Sequence, residues 1–204
     1  MYKLPYFTET NNDVVFKFMQ QHAFALVIGN SHAHPIATQL PLMVEQDDKG
    51  DIIISGHFMR NTDHHLAFEC NPNVLVIFNG PHTYVSASWY TNKASASTWN
   101  YITVHAKGVM EFVDETKTIQ LLKQLTDQFE NQESAAAFHH MPDDYVQKMA
   151  KAIVGFTIKV SSVENVFKLS QNHTEENRRN IVAELLKRGD ENSVTIAQLM
   201  QERF

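Results

Sequence analysis

The chain has 204 residues, 43% of them hydrophobic and 20% charged, with a formal net charge of −6. That length suits one domain with a sizeable core, and the acidic balance argues against a large nucleic-acid footprint, which needs a basic stripe. A single cysteine, Cys70, excludes an internal disulfide. With no apolar run near the ~20 residues needed to span a bilayer and no secretory leader pattern in the opening residues, the expectation is a cytoplasmic protein without a membrane partner.

Helical spacing of Val14, Val15, Phe18 and Met19 predicts a first helix starting near Thr10 to Asn12. "FALVIG" (24–29) predicts a buried strand and "NSHAH", with His32 and His34, a turn. "PIATQLPLMVE" (35–45) predicts a second strand with Ile36, Thr38, Leu40, Leu42 and Val44 on one face. Pro41 cannot donate to a ladder and places this strand at an edge or a bulge. "IIISGHF" (52–58) reads as a third strand, residues 62–69 as a short helix, and "VLVIFNG" (74–80) as a fourth strand.

"GPHTYVSASWY" and "STWNY" then carry both tryptophans of the chain. Read as strand, the first stretch puts Val85, Ala87 and Trp89 on one face. The next strand, 100–112, alternates Trp99, Tyr101, Thr103 and His105 with Asn100, Ile102, Val104 and Ala106. One face is apolar core. The other carries rings and hydroxyls, and suits either a planar heteroaromatic ligand or packing in a core or subunit contact.

A helix over 114–130 would bury Ile119, Leu122, Leu125 and Phe129, and Pro142 would open another. Residues 154–170 predict a long strand. Thr174 caps a helix stopped by Gly189, and a last helix starts near Ser193. About six strands joined mainly by hairpins make an α+β, mainly β, fold with an antiparallel barrel or sheet. Gly-rich dinucleotide, phosphate-loop and HExxH motifs are absent from the sequence.

"SGHFMRNTDHH" (55–65) is the sharpest constellation. A strand ends in Gly56 and His57, Arg60 comes next, and Asn61, Thr62 and Asp63 open a helix. Unpaired N–H groups at a helix start beside a planar guanidinium form a phosphate site. The bland alternative is a capping Thr62 and a solvated Arg60. The histidine pairs His64–His65 and His139–His140 diverge on their elements and no third ligand stands near His32 and His34, so no metal site is expected. No catalytic residue is assigned.

At these residues the sequence resembles the PaiB family, the FMN-binding negative transcriptional regulators. The resemblance runs through "PIATQLPL", "SGHFMRNTDHH", "VLVIFNGPHTYVSASWY", "TWNY" with "VHAKG", and "VGFTIKVSSVENVFKLSQN", in order along nearly the whole chain. Gln39 stands where the family usually has His, and Thr62–Asp63 where it usually has Asn–Pro. The resemblance implies an antiparallel split β-barrel of the FMN-binding type with peripheral helices, over residues 1–170, and a C-terminal helical segment, 171–204, packed on it. It implies a homodimer with FMN at the subunit interface, held by Thr38, His57, Arg60, Asn61, Thr62, Trp89, Trp99 and Asn100. It also implies regulation of transcription through a DNA or protein partner. Fold analogy keeps a second reading, a flavin-dependent oxidoreductase or haem-handling enzyme, with His57, His82 and Tyr84 lining a pocket over the flavin.

Overall fold

The structure, a computed structural model, describes residues 1, 4–31 and 33–203; His32 of the predicted turn lies outside them. The elements run α1 (Asn12–Gln21), β1 (Phe24–Asn30), β2 (Pro35–Pro41), β3 (Met43–Gln46), β4 (Ile52–Met59), α2 (Asp63–Cys70) and β5 (Asn73–Val85). They continue with β6 (Thr98–Phe112), α3 (Glu115–Phe129), α4 (Asp143–Ala152), β7 (Ile153–Lys168), α5 (Glu175–Arg188) and α6 (Glu191–Gln201). The seven strands form one antiparallel sheet in the order β2-β1-β5-β6-β7-β4-β3, so the fold is α+β and mainly β, as expected.

The expected second strand is two. It breaks at Leu42, and its halves sit at opposite ends of the strand order. β2 pairs with β1 from Phe24↔Pro41 to Asn30↔Pro35, while β3 pairs with β4 from Met43↔Ser55 to Gln46↔Ile52. Pro41 lies on an edge strand, where its missing N–H costs nothing. A sheet whose two edges are joined by one residue must curl. Leu42 is fully buried and donates its N–H to Ala23 O at 2.9 Å. A Cβ on Gly56 of β4 would stand 2.9 Å from Leu42 Cδ2 and 3.4 Å from Pro41 O.

The chain divides into two compact units, whose boundaries fall inside α1, β5, β6 and β7. The larger comprises Phe16–Phe78 and His105–Val163. Its core holds Val27, Leu42, Ile54, Phe58, Val76, Phe78, Phe156 and Ile158. Phe58 stacks on Phe156 with ring centres 5.1 Å apart and tilts against Phe68 at 5.7 Å. α3 packs on this unit through Leu121 and Leu125 against Met43 and Val113.

The buried stripe of α3 is Thr118, Leu121 and Leu125, and Phe129 is 64% exposed, which corrects the predicted stripe. The reason is Thr118. Its hydroxyl donates to Asp114 O at 2.8 Å and accepts from Gly155 N at 3.2 Å, so a polar residue turns that face inward. Pro142 is the N-cap of α4 rather than its first residue.

The smaller unit comprises Met1–Val15, Asn79–Val104 and Glu164–Phe204. α5 is capped by the Thr174 hydroxyl, which accepts from Asn177 N, and ends at Gly189 in the left-handed region at φ 75°, as predicted. α6 starts at Glu191 under an Asp190 cap, two residues before the expected Ser193. Ile181, Leu185, Ile196 and Met200 are fully buried there. Asn165 grips Glu9 by accepting from its N–H (2.8 Å) and donating to its carbonyl (3.0 Å), and Arg203 pairs with the Glu9 carboxylate at 2.6 Å.

Candidate functional site

In the larger unit, β4 ends at Met59 and α2 starts at Asp63. The turn between them is built by capping. Asn61 takes the left-handed conformation, φ 59°, which Asn tolerates better than most residues. Thr62 is the N-cap; its hydroxyl donates to Met59 O (3.0 Å) and accepts from His65 N (3.4 Å). His65 is buried, and its Nδ1 accepts the Asn61 N–H at 3.0 Å while Nε2 lies 3.5 Å from the Glu69 carboxylate. Accepting at Nδ1 places the ring proton on Nε2, towards Glu69. Arg60 is anchored by its backbone, donating to Ala152 O at 3.0 Å.

The Arg60 side chain is exposed and, among the described residues, its guanidinium has no partner. Asp63 does not turn away from the helix start. Its carboxylate accepts from His64 N at 2.8 Å and lies 3.3 Å from His64 Nδ1. It therefore takes one of the open donors, and leaves the N–H groups of Thr62 and Asp63 without partners among the described residues.

His57 lies on β4 opposite Gly155 of β7. Its Nδ1 is buried without a partner among the described residues, and burial holds the imidazole below the ordinary histidine range. It is a neutral ring near pH 7 with an unused polar atom. Thr38 sits half-buried on β2 opposite Val27. The expected residues of this unit thus include a contiguous group, Arg60, Asn61 and Thr62, with His57 on the strand leading to it. His65 was missed as a functional residue. A histidine three positions after a Thr cap was the available signal.

In the smaller unit, β6 alternates as predicted, with Asn100, Ile102 and Val104 buried and Trp99 52% exposed. Trp99 meets Tyr84 edge-on at 6.0 Å and His82 at 6.1 Å. These rings border an open cleft of about 360 Å³ lined by Asn79, Gly80, His82, Trp99, Tyr101 and Ile102. Trp89 is not on a strand, because β5 ends at Val85 and residues Ala87–Trp89 form a 3-10 turn. Its ring lies under the Arg188 guanidinium, 4.9 Å away, while Arg188 also donates to Thr83 Oγ1 and Tyr84 O. Asn100 is fully buried, accepting from Ser170 (3.1 Å) and donating to Met200 Sδ (3.5 Å). Trp89 and Asn100 therefore serve the packing of α5 and α6. Among the described residues no three His, Cys, Asp or Glu side chains cluster to hold a metal.

A flavin mononucleotide phosphate needs a cationic fork with donors beside it. Arg60, the free N–H groups at Thr62 and Asp63, and the exposed Asn61 side chain meet that need; Asp63 is the one residue of the wrong sign. Each hydrogen bond to a charged group contributes about 1.5–3 kcal/mol.

Known proteins resemble this chain in sequence and in fold. Residues 1–162 match the family described as "Putative FMN-binding domain". The chain is 32% identical over 205 aligned positions to the protease synthase and sporulation protein PAI 2 of Bacillus subtilis, covering 100% of this chain and 98% of the relative. It is 25% identical to the uncharacterized protein AN0679 of Emericella nidulans, over 79% of this chain and 71% of the relative. Among solved structures, the flavocytochrome Anf3 of Azotobacter vinelandii superposes with a TM-score of 0.62 at 14% identity, covering 88% of this chain and 78% of that one. The FAD and heme binding protein of Mycobacterium smegmatis gives 0.61 at 15% identity, covering 79% and 73%. These likenesses establish the split-barrel fold. Family match and full-length relative together place this chain in the PaiB-type family of FMN-binding domain proteins, with FMN as its cofactor.

Proposed function

We propose that the protein is a homodimeric FMN-binding regulator of the PaiB type, with the flavin phosphate held at the turn between β4 and α2. The observation that carries this reading is the exposed Arg60 guanidinium, without a partner among the described residues, on a backbone fixed by Ala152 and His65. Arg60, the Thr62 N–H and the Asn61 carboxamide would hold the phosphate. His57 and Thr38 are the further groups of the same unit assigned to the cofactor. When bound, FMN supplies reversible electron and hydride chemistry at its ring system. The half-exposed Trp99 and Tyr84 supply apolar area of the kind that subunit contacts use. Regulation then runs through occupancy or redox state of the flavin, read by a DNA or protein partner. Fluorescence titration of FMN tests the phosphate assignment. Arg60→Ala is expected to raise Kd about ten- to a hundredfold, as a charge-assisted pair is lost; an unchanged Kd moves the phosphate elsewhere.

A second reading, a flavin-dependent oxidoreductase, is favoured by the open cleft at His82 and Trp99, which has room for a second flat molecule. Reduced nicotinamide added to the FMN-loaded protein separates the two. Rapid bleaching of the flavin absorbance supports the enzyme, and a stable yellow colour the regulator.

A further inference from the structure

The smaller unit contains a second hollow, open and about 410 Å³ in volume, that none of the chemistry above uses. We propose that it is a binding site for the phosphate or carboxylate group of a small anionic metabolite, with Lys168 as its charged anchor. Phe7, Tyr90, Ser95, Asn172 and His173 stand around that lysine, and no Asp or Glu is among the lining residues. Its size is within the range of small-molecule sites.

Lys168 ends β7 and is half-buried. Its ammonium donates to the Thr98 hydroxyl and lies 5.7 Å from the centre of the Phe7 ring. Neither neighbour carries a charge to balance it, and among the described residues no carboxylate pairs with it. A lysine held for structure alone looks different in this same unit: the Lys93 ammonium is satisfied by the carbonyls of Ser88 (2.7 Å) and Tyr90 (2.8 Å). A partly desolvated ammonium without a counter-charge is costly, so it marks where an anion is welcome.

The neighbouring groups repeat the pattern. Tyr90 is buried and, among the described residues, its hydroxyl has no partner; its ring stacks on His173 with centres 4.6 Å apart. Burial, then the nearby Tyr84 charge, pushes the Tyr90 phenol up, so the hydroxyl keeps its proton. Burial pushes the Lys168 ammonium down, and burial followed by the Lys168 charge pushes the His173 imidazole down. Lys168 thus faces a hollow whose lining holds no Asp or Glu to balance its charge.

The backbone that presents Asn172 and His173 is under strain. Ser170 adopts φ 62°, a left-handed conformation that serine rarely takes. It is held there by its hydroxyl on Asn100 (3.1 Å), by the Leu169 N–H on Gln171 Oε1 (2.7 Å) and by the His173 N–H on the Ser170 carbonyl (3.1 Å). Strain of this kind persists where surroundings over-determine it, and it gathers at ligand sites.

This site does not depend on the phosphate assignment at Arg60, and the test keeps them apart. Inorganic pyrophosphate is titrated into the full-length protein saturated with FMN, by calorimetry and by NMR of the His173 ring. Saturable binding with a moving His173 resonance is expected. Lys168→Met, which keeps the methylene stem, should weaken binding roughly tenfold or more, and Lys168→Arg only a few-fold. Exposed Lys148→Met should leave it unchanged. Absence of saturable binding up to about 10 mM, or wild-type affinity in Lys168→Met, overturns the proposal. So does displacement of pyrophosphate by FMN coupled to weaker FMN binding in Lys168→Met, which would assign the hollow to the flavin's own phosphate. If Lys168→Met fails to fold, the His173 resonance of the wild-type protein decides: movement supports the site and a static signal overturns it.

Discussion

His65 shows how a single buried ring sets the geometry of its neighbours: its Nδ1 accepts the N–H of a left-handed Asn61, and that bond aims the Arg60 segment. The cap of this turn was legible in the sequence, since Thr is a favoured N-cap residue. The His65 bond was not, because it depends on the sign of one backbone angle. His57 carries a pH signature. Its folded pKa lies below the ordinary 6.5 because burial disfavours the charged ring. Between that lowered value and 6.5 the unfolded chain binds more protons, so stability is complete above 6.5 and falls as the pH drops below it. His173, lowered by burial and by Lys168, acts in the same direction. Urea melts at about pH 7.5 and about pH 5.5 should show the loss, and His57→Gln should shrink it. An identical loss in the variant would remove His57 as its source.

Among elements, β6 was the most legible, because period-two alternation of buried and more exposed positions runs unbroken from Trp99 to Glu111. α3 was less so. Thr118, a polar residue outside the expected apolar stripe, faces inward because its hydroxyl accepts from Gly155 N. The break at Leu42 was hidden because the two flanking strands together keep one unbroken apolar alternation. β6 and β7 also approach at a point that only glycine permits: a Cβ on Gly108 would stand 2.5 Å from Lys159 O and 2.7 Å from Ile158 Cγ2. Gly108→Ala should therefore cost about 1–3 kcal/mol, the range of overpacking, with a lower midpoint in thermal or urea melts. A neutral result would mean that the two strands separate freely.

For the molecule as a whole, the order and type of most elements could be read from the chain, and the resemblance supplied the barrel. Sequence alone does not separate a ring that packs from one that is offered. Trp89 lies under Arg188 and Trp99 stands half in solvent, although the two occur in matching contexts. Trp99→Ala is accordingly expected to lower the monomer's stability by less than about 1 kcal/mol, as surface substitutions do, while weakening self-association or FMN affinity. Sedimentation with flavin titration measures both, and a variant that simply unfolds would make Trp99 a core residue.

The one-residue link at Leu42 also bears on how the protein is made. β3 and β4 are neighbours in the chain, but the other side of β4 is completed by β7, which begins only at Ile153. At ribosomal rates the nascent chain must hold that bare strand edge for roughly 5–20 s. Premature release anywhere before β7 would leave a sticky half-barrel, so this chain's yield in the cell should depend on chaperone supply more than its folded stability suggests.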